Sequence, residues 1–470
     1  MNSINDYTHF ALDIKDENII FTDYQEELRG GRRAKVYYGT LETPIKQCPT
    51  CHSAALVRNG SARVSIRYLA VDASRPIYLD LRKQRLRCQR CHATVMATTP
   101  LVERHCHISN AVKQKVRIEL TRQLAMTEIA ADTGVSPNTV ARELTAMPVP
   151  QTHLQQAGLP HKLAFDEFRG VGSHLHFICL NNDNHQIFQI LAQRTRHTVT
   201  EYFSQFSSAG RAQVHSVTID LNYHHQEIIR QLFPNALIIL DGFHLCQMAT
   251  RAFNQLRAQT AKQFATNSRE YRYLKFGWKQ YLKASEQLSS RRYYDVHLHE
   301  WISPLEKVHL GLQADDCLQE TYDVMQTITH ALRHGDQERL AACLQAPHHV
   351  GPQMQGVLRS FRNNYQYIVN STSSSYSNGA LEGTIRKIKQ LQRTAYGFRN
   401  YDHLVKRIML MQATKKTKIR CLIDNVFSIH QQDLTKSRYS YRSNDKPLFY
   451  FNHILKVSCA VKKALSGPFY

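Results

Sequence analysis

Between Cys48 and Cys91 apolar and polar residues alternate: Val64, Ile66, Tyr68 and Ala70 share one side of a first run, and Ile77, Leu79 and Leu81 one side of a second. Arg82, Lys83, Arg85 and Arg87 line the return of that second run. A period of two predicts strands, here a small β-ribbon. From about 111 to 147 the period becomes helical, until Pro148, Val149 and Pro150 break it, because proline lacks the amide donor and restricts its predecessor. A linker is expected there. From His161 onward short apolar runs at 162–168, 175–180 and 187–192 precede a helical stretch, a run at 216–221, a second helical stretch and a run at 236–240. The first three lack long crossovers and predict an antiparallel meander; the later alternation predicts parallel strands beside it. Residues 245–370 are helical in period, with no obvious strand, and 379–411 form a helical stretch rich in Lys and Arg. Residues 1–45 turn from acidic to basic through Arg29, Gly30, Gly31, Arg32, Arg33 and Lys35, and read as a flexible segment. The tail beyond Lys415 is basic and aperiodic, and no internal repeat is visible.

Composition narrows the class. With 470 residues, 42% hydrophobic and 21% charged, the chain is globular and long enough for two to four domains. Its net charge of +22 calls for a negative partner. No apolar run reaches the ~18 residues of a membrane span, so no membrane is expected. The first twenty residues carry Asp6, Asp13, Asp16 and Glu17 without a basic and apolar leader, so a cytoplasmic chain is expected. Eleven cysteines, an odd number, then point to metal or redox chemistry in preference to disulfides.

Two motifs point to DNA. Cys48-x-x-Cys51 and Cys88-x-x-Cys91 place four thiolates in two knuckles, a natural tetrahedral zinc site, with His105, Cys106 and His107 nearby as substitute ligands or solvated surface. Residues 127–144, TEIAADTGVSPNTVAREL, read as a helix-turn-helix: Ile129, Ala130, Val135, Val140 and Leu144 pack, Gly134 turns, and Ser136-Pro137 starts the second helix. That helix is expected to offer Asn138, Thr139 and Arg142 to a major groove.

A set of acids points to chemistry. Asp166, Asp220 and Asp241 each end an apolar run, and Glu382 opens the basic helix. Carboxylates at the ends of adjacent strands, with one from a later helix, would converge as hard ligands for two Mg2+ ions at a phosphodiester. Asp220 and Asp241 both qualify as second acid; Asp220 is preferred, because after a meander its strand lies beside that of Asp166. Asp241-x-x-His244 then supports the site. Lys389, two helical turns after Glu382, shares its face and brings a cation to the phosphate.

The pairs CPTC and CQRC, with LAFDEFRG at 163–170, VTIDLN at 217–222, FPNALIILDGFHL at 233–245 and SNGALEGTIRKIKQLQRTAYGFRN at 377–400, resemble bacterial insertion-sequence transposases of the ISL3 family. The resemblance runs from about Cys48 to about Met411. It implies a DDE transposase of α/β class: an RNase H-like catalytic core with an all-α insertion, preceded by a zinc-binding β-ribbon and a helix-turn-helix domain. It also implies Asp166, Asp220 and Glu382 as the catalytic triad, holding Mg2+ or Mn2+, Asp241 and His244 as an accessory motif, and structural Zn2+ on Cys48, Cys51, Cys88 and Cys91. Its partners would be double-stranded DNA, as terminal inverted repeats and target, and further copies of the chain in a synaptic homo-oligomer. The expected division is an N-terminal segment (1–45), zinc ribbon (46–108), helix-turn-helix (109–150), first part of the core (160–245), all-α insertion (246–370), helix with the catalytic Glu (371–412) and basic tail (413–470). The family commonly has Asn three residues after the Glu; here Ile385 stands there. The alternative is a decayed transposase or regulator that only binds DNA.

Overall fold

The computed structural model describes residues 4–70, 75–148, 158–221, 223–373 and 379–416. Helix α1 (Ile4–Leu12) leads into β1 (Ile19–Arg29), β2 (Arg32–Leu41), β3 (Leu56–Tyr68), β4 (Ile77–Cys88) and β5 (Thr94–Met96), one sheet ordered β1-β2-β4-β3 with β5 on β4. Leu12, Ile19, Phe21, Leu41, Ile66, Leu79 and Leu81 bury its core. This corrects the expectation of a flexible segment through Gly30-Gly31. Both glycines have positive φ, 58° and 78°, and turn a hairpin whose second strand runs parallel to β4, Lys35 opposite Ile77. The strand was hidden because only Ile19 and Phe21 of β1 are buried, and the rest of it is a charged, solvated ladder.

Helices α2 (Asn110–Glu119), α3 (Met126–Thr133) and α4 (Pro137–Ala146) pack around Val116, Leu120, Ile129, Ala130, Val140 and Leu144. Arg67 is central where the sheet and these helices meet: its amide donates to His107 O and its carbonyl accepts from the amide of Ser109, the cap of α2. Arg67 of β3 lies over the Tyr78 ring and donates to Ile77 O at 3.2 Å and to Thr133 O at 3.4 Å. Gly134, at φ 65°, caps α3, and a Cβ there would collide with that guanidinium. The linker expected at 148–150 falls, from Val149, outside the described residues.

A second sheet follows: β6 (Lys162–Arg169), β7 (Leu175–Asn181) and β8 (Gln186–Leu191) form the expected meander. After α5 (Arg196–Ser204) and α6 (Ser208–Ala212), β9 (Ser216–Ile219) joins β6 in parallel; after α7 (Tyr223–Leu232), β10 (Leu237–Leu240) joins β9 in parallel. The order is β10-β9-β6-β7-β8. Alternate residues of β6 feed two cores, Leu163 and Phe165 toward α5 and α7, Ala164 and Phe168 toward the last two helices. A sheet covered on both faces needs such doubly apolar strands.

Helix α8 (Gly242–Ala261) leaves the sheet and opens a helical block of α9 (Arg269–Lys275), α10 (Pro304–Leu312), α11 (Asp316–His334), α12 (Gln337–Gln345) and α13 (Pro352–Asn363). The helical expectation holds with one departure, a hairpin of β11 (Tyr293–Asp295) and β12 (Glu300–Ile302). Three-residue strands are too short to show a period. Helix α14 (Tyr365–Ser373) returns to β10, Asn370 donating to Ile238 O at 2.9 Å.

Helix α15 (Gly379–Thr394) covers the Ala164 face of the sheet, and α16 (Tyr401–Lys416) does two things. Leu404 and Ile408 enter the sheet's core, while Leu410 joins the three-helix cluster. Lys406 Nζ donates to Thr145 O at 2.5 Å, and the wholly buried Arg407 donates to Arg122 O and Leu124 O at 2.8 Å each. Desolvation pushes Arg407 down to about 10. The tail expected at 413–470 falls, from residue 417, outside the described residues.

Candidate functional site

Register sets the acids side by side. Lys162 pairs with Ser216 and Ala164 with Thr218, so the same step places Asp166 against Asp220. Ile219 pairs with Leu240, and the Asp241 amide donates to Ile219 O at 2.8 Å. Asp166 within β6 and the residues that follow β9 and β10, Asp220 and Asp241, therefore stand at one level, with Asp220 on the strand beside that of Asp166 as expected from the sequence.

The electrostatics show that these groups sense one another. Burial, opposed by the Glu167 amide and reinforced by Asp220, pushes Asp166 up to about 6, while His244 draws it down. Asp241 caps α8 by accepting from the Phe243 amide at 3.3 Å, and its other oxygen lies 2.6 Å from His244 Nδ1. That hydrogen bond, ahead of the opposing burial and the charges of Asp241, Asp220 and Asp166, raises His244 above the usual histidine range. Two carboxylates side by side favour a shared cation or proton.

Glu382 comes from a different element. It lies in the first turn of α15, where Arg386 Nη2 donates to Oε1 at 2.7 Å. Leu381, Ile385 and Ile388 are buried under the sheet, so Glu382, Arg386 and the exposed Lys389 line the flank of the helix. Among the described residues, the acids and His244 are not gathered as tightly as the four thiols described next. Arg386 was missed in the sequence, although its spacing of four from Glu382 is the ordinary signal of a helical ion pair.

Those thiols, of Cys48, Cys51, Cys88 and Cys91, lie within 4.8 Å of one another. Cys48 to Cys91 is 3.5 Å and Cys51 to Cys88 is 3.6 Å. A tetrahedron with Zn–S of about 2.3 Å puts its sulfurs roughly 3.8 Å apart, so the set fits zinc. The knuckles match: the His52 amide donates to Cys48 O and the His92 amide to Cys88 O, both histidines at positive φ. Amides of Cys51 and Thr50 hold the Cys48 thiol down to about 6. Cys91 is pushed up to about 12: the Ala93 amide alone would lower it, but the sulfur of Cys51, burial and the other two thiols outweigh it. Cys88, like Cys48, is held below its ordinary value, chiefly by the Cys91 amide, and thiols bind a metal as thiolates. His105 and His107 are exposed and Cys106 lies 4.0 Å from Glu103, outside the cluster.

On α4, Asn138 and Arg142 are exposed as expected, but Thr139 is not. Its amide donates to Ser136 Oγ at 3.2 Å, and its hydroxyl bonds that oxygen and accepts from Arg142 at 3.1 Å. Its hydroxyl belongs to the helix cap, which corrects its assignment as an outward-facing contact.

Among known families, residues 163–408, just over half of the chain, match the ISL3-type DDE family described as "Transposase". Residues 46–91 match the "zinc-finger of transposase IS204/IS1001/IS1096/IS1165". Over 99 residues, 21% of this chain, the sequence is 32% identical to a Lactococcus lactis subsp. lactis protein named ATP-dependent protease, and the match spans 32% of that protein.

Proposed function

This chain belongs to the ISL3-type family of DDE transposases, and from that premise we propose that it binds the terminal inverted repeats of an insertion sequence, cleaves DNA at the element's ends and transfers the freed strands to target DNA. The observation that carries the reading is the alignment of Asp166, Asp220 and Asp241 across β6, β9 and β10, with His244 among them. The strand order supports an RNase H-like core. The donor set fits divalent metal, because buried Asp166 beside Asp220 already resists carrying two negative charges without a cation.

Asp166, Asp220 and Glu382 would hold Mg2+ or Mn2+, which supplies activation of the attacking oxygen and stabilisation of the leaving one. Asp241 fixes the direction of His244 through the hydrogen bond at Nδ1, and the imidazole would face the scissile phosphate. Lys389 and Arg386 give α15 a cationic flank along which a DNA backbone would run. Specificity lies elsewhere: Asn138 and Arg142 would read base edges, and the zinc ribbon, fixed to α3 through Arg67, would orient the reading helix. Two ends need two sites, so the working form would be a homo-oligomer on DNA.

A second reading, a chain that binds ends without cutting them, draws on Glu382, whose carboxylate accepts from Arg386. Glu382→Gln separates the two. A transposase loses at least ~100-fold in cleavage of an end duplex while a gel shift shows unchanged binding; a binding protein shows no metal-dependent cleavage in either form.

A further inference from the structure

Helix α16 carries two stripes of residues at helical spacing, and each stripe holds a different part of the protein. On the first, Tyr401 donates to Ile190 O at 3.0 Å and Gln412 accepts from the Ile187 amide at 2.8 Å, which bonds the helix to β8. Leu404 and Ile408, between them, are buried with Phe168 of β6, two residues past Asp166. On the second, His403 Nε2 stands 3.0 Å from Thr145 Oγ1, and Lys406 Nζ donates to Leu144 O, Thr145 O and Met147 O. One turn on, Arg407 donates to Arg122 O and Leu124 O, between α2 and α3. Lys406 thus sits on the last carbonyls of α4, where the helix dipole favours an ammonium.

This junction is built for direction more than for strength. Arg407 is wholly buried, and its Nε and Nη1 meet no acceptor among the described residues. Unpaired buried donors are costly, and an apolar side chain of similar volume would join the two parts without that cost. A guanidinium instead fixes two carbonyls with one rigid fork. The backbone supplies no such constraint: the connection from Ala146 to Lys162, fully extended, would reach roughly 50 Å. Along DNA, a slip of about 3.4 Å is already one nucleotide.

We propose that Lys406 and Arg407 are positioning residues: by fixing α4 on α16, and so on the sheet that carries Asp166, they set the number of base pairs between the sequence α4 reads and the phosphate that is cut. The assignment rests on the transposase reading and deepens it. Both side chains act through α4 and its neighbours, not by touching the reacting phosphate.

The test uses the full chain, Mg2+ and a duplex carrying the element's own end, with the cut mapped at nucleotide resolution and end binding followed by gel shift. Wild type should cut at one phosphodiester. Lys406→Met and Arg407→Met, which nearly keep side-chain volume, should bind the end as wild type does but spread the cut over neighbouring phosphodiesters. Total cleavage should fall by up to ~100-fold, the loss that a misplacement of about 1 Å can bring. Lys406→Arg, which still donates to the α4 carbonyls, should return the single position. A side chain that only stabilised the fold would lower the yield and leave the position where it was. If Arg407→Met does not fold, the half-buried Lys406 carries the test through Lys406→Met. Variants that bind and cut only at the wild-type position, or wild type that itself cuts at scattered positions, overturn the assignment alone. Wild type that shows no metal-dependent cleavage overturns the transposase reading, and the assignment with it.

Discussion

Asp295 and Lys307 form an ion pair with both side chains buried, Oδ2 to Nζ 2.6 Å, at the loop end of the β11–β12 hairpin. Burial alone would raise the Asp295 carboxyl, but the Lys307 ammonium and the His297 amide outweigh it and hold it below its ordinary value. A carboxyl depressed on folding contributes stability that is complete above its unfolded value and is lost as pH falls through the lower folded value. Asp295→Ala strands a buried ammonium and is expected to cost about 3–5 kcal/mol in urea unfolding, with a flatter acid limb than wild type. The same logic of burial applies to Ile385. Packed with Leu381 and Ile388 against the sheet, it is a core residue, and Ile385→Asn would bury an amide where no polar partner is offered. A loss of roughly 2–4 kcal/mol is expected in thermal or urea melts. A variant as stable as wild type would show that the α15 face is not sealed as described.

At the scale of elements, the ribbon depends on its metal. The four sulfurs hold two knuckles 48–52 and 88–92 at the far end of β3 and β4 from the Arg67 junction. Chelation, or Cys88→Ser, is expected to release one zinc per chain by metal analysis. It should also remove several of the ~10 kcal/mol that structural zinc gives small domains, and abolish end binding while the helical signal of the core persists. Retained end binding after complete removal of metal would refute a structural role. These elements differ in how legible they were. The meander and the two parallel strands could be read because each run is mostly apolar, as strands covered on both faces are, and the last two stop at an Asp. The Asp166–Asp220 adjacency followed from that topology alone. The β1–β2 hairpin was unreadable because its charged residues face water on most of its length, and β11–β12 because three residues carry no period. Thr139 misled for a local reason: the third residue of a capped helix turns its hydroxyl back to the cap, which sequence spacing does not reveal. The Glu382–Arg386 pair was within reach of spacing rules, but a basic helix drew attention to DNA first.

Across the whole molecule, the +22 charge, α4 and the acids can serve the proposed function only if they are held in fixed relation. Helix α16 does the holding: its Leu404 and Ile408 sit in the core of the sheet, and its Lys406 and Arg407 grip carbonyls of the three-helix cluster. Among the described residues no helix is long and apolar enough to cross a membrane. Under the proposed function the aligned aspartates cut DNA, with Asp220 essential and Asp241 acting through His244. Mg2+-dependent cleavage of a labelled duplex, taken from the element's end flanking this reading frame, tests it with wild type, Asp220→Ala and Asp241→Ala side by side. The account predicts cleavage by wild type, none detectable with Asp220→Ala, and a reduced but measurable rate with Asp241→Ala. Asp220→Ala cutting as fast as wild type would contradict it.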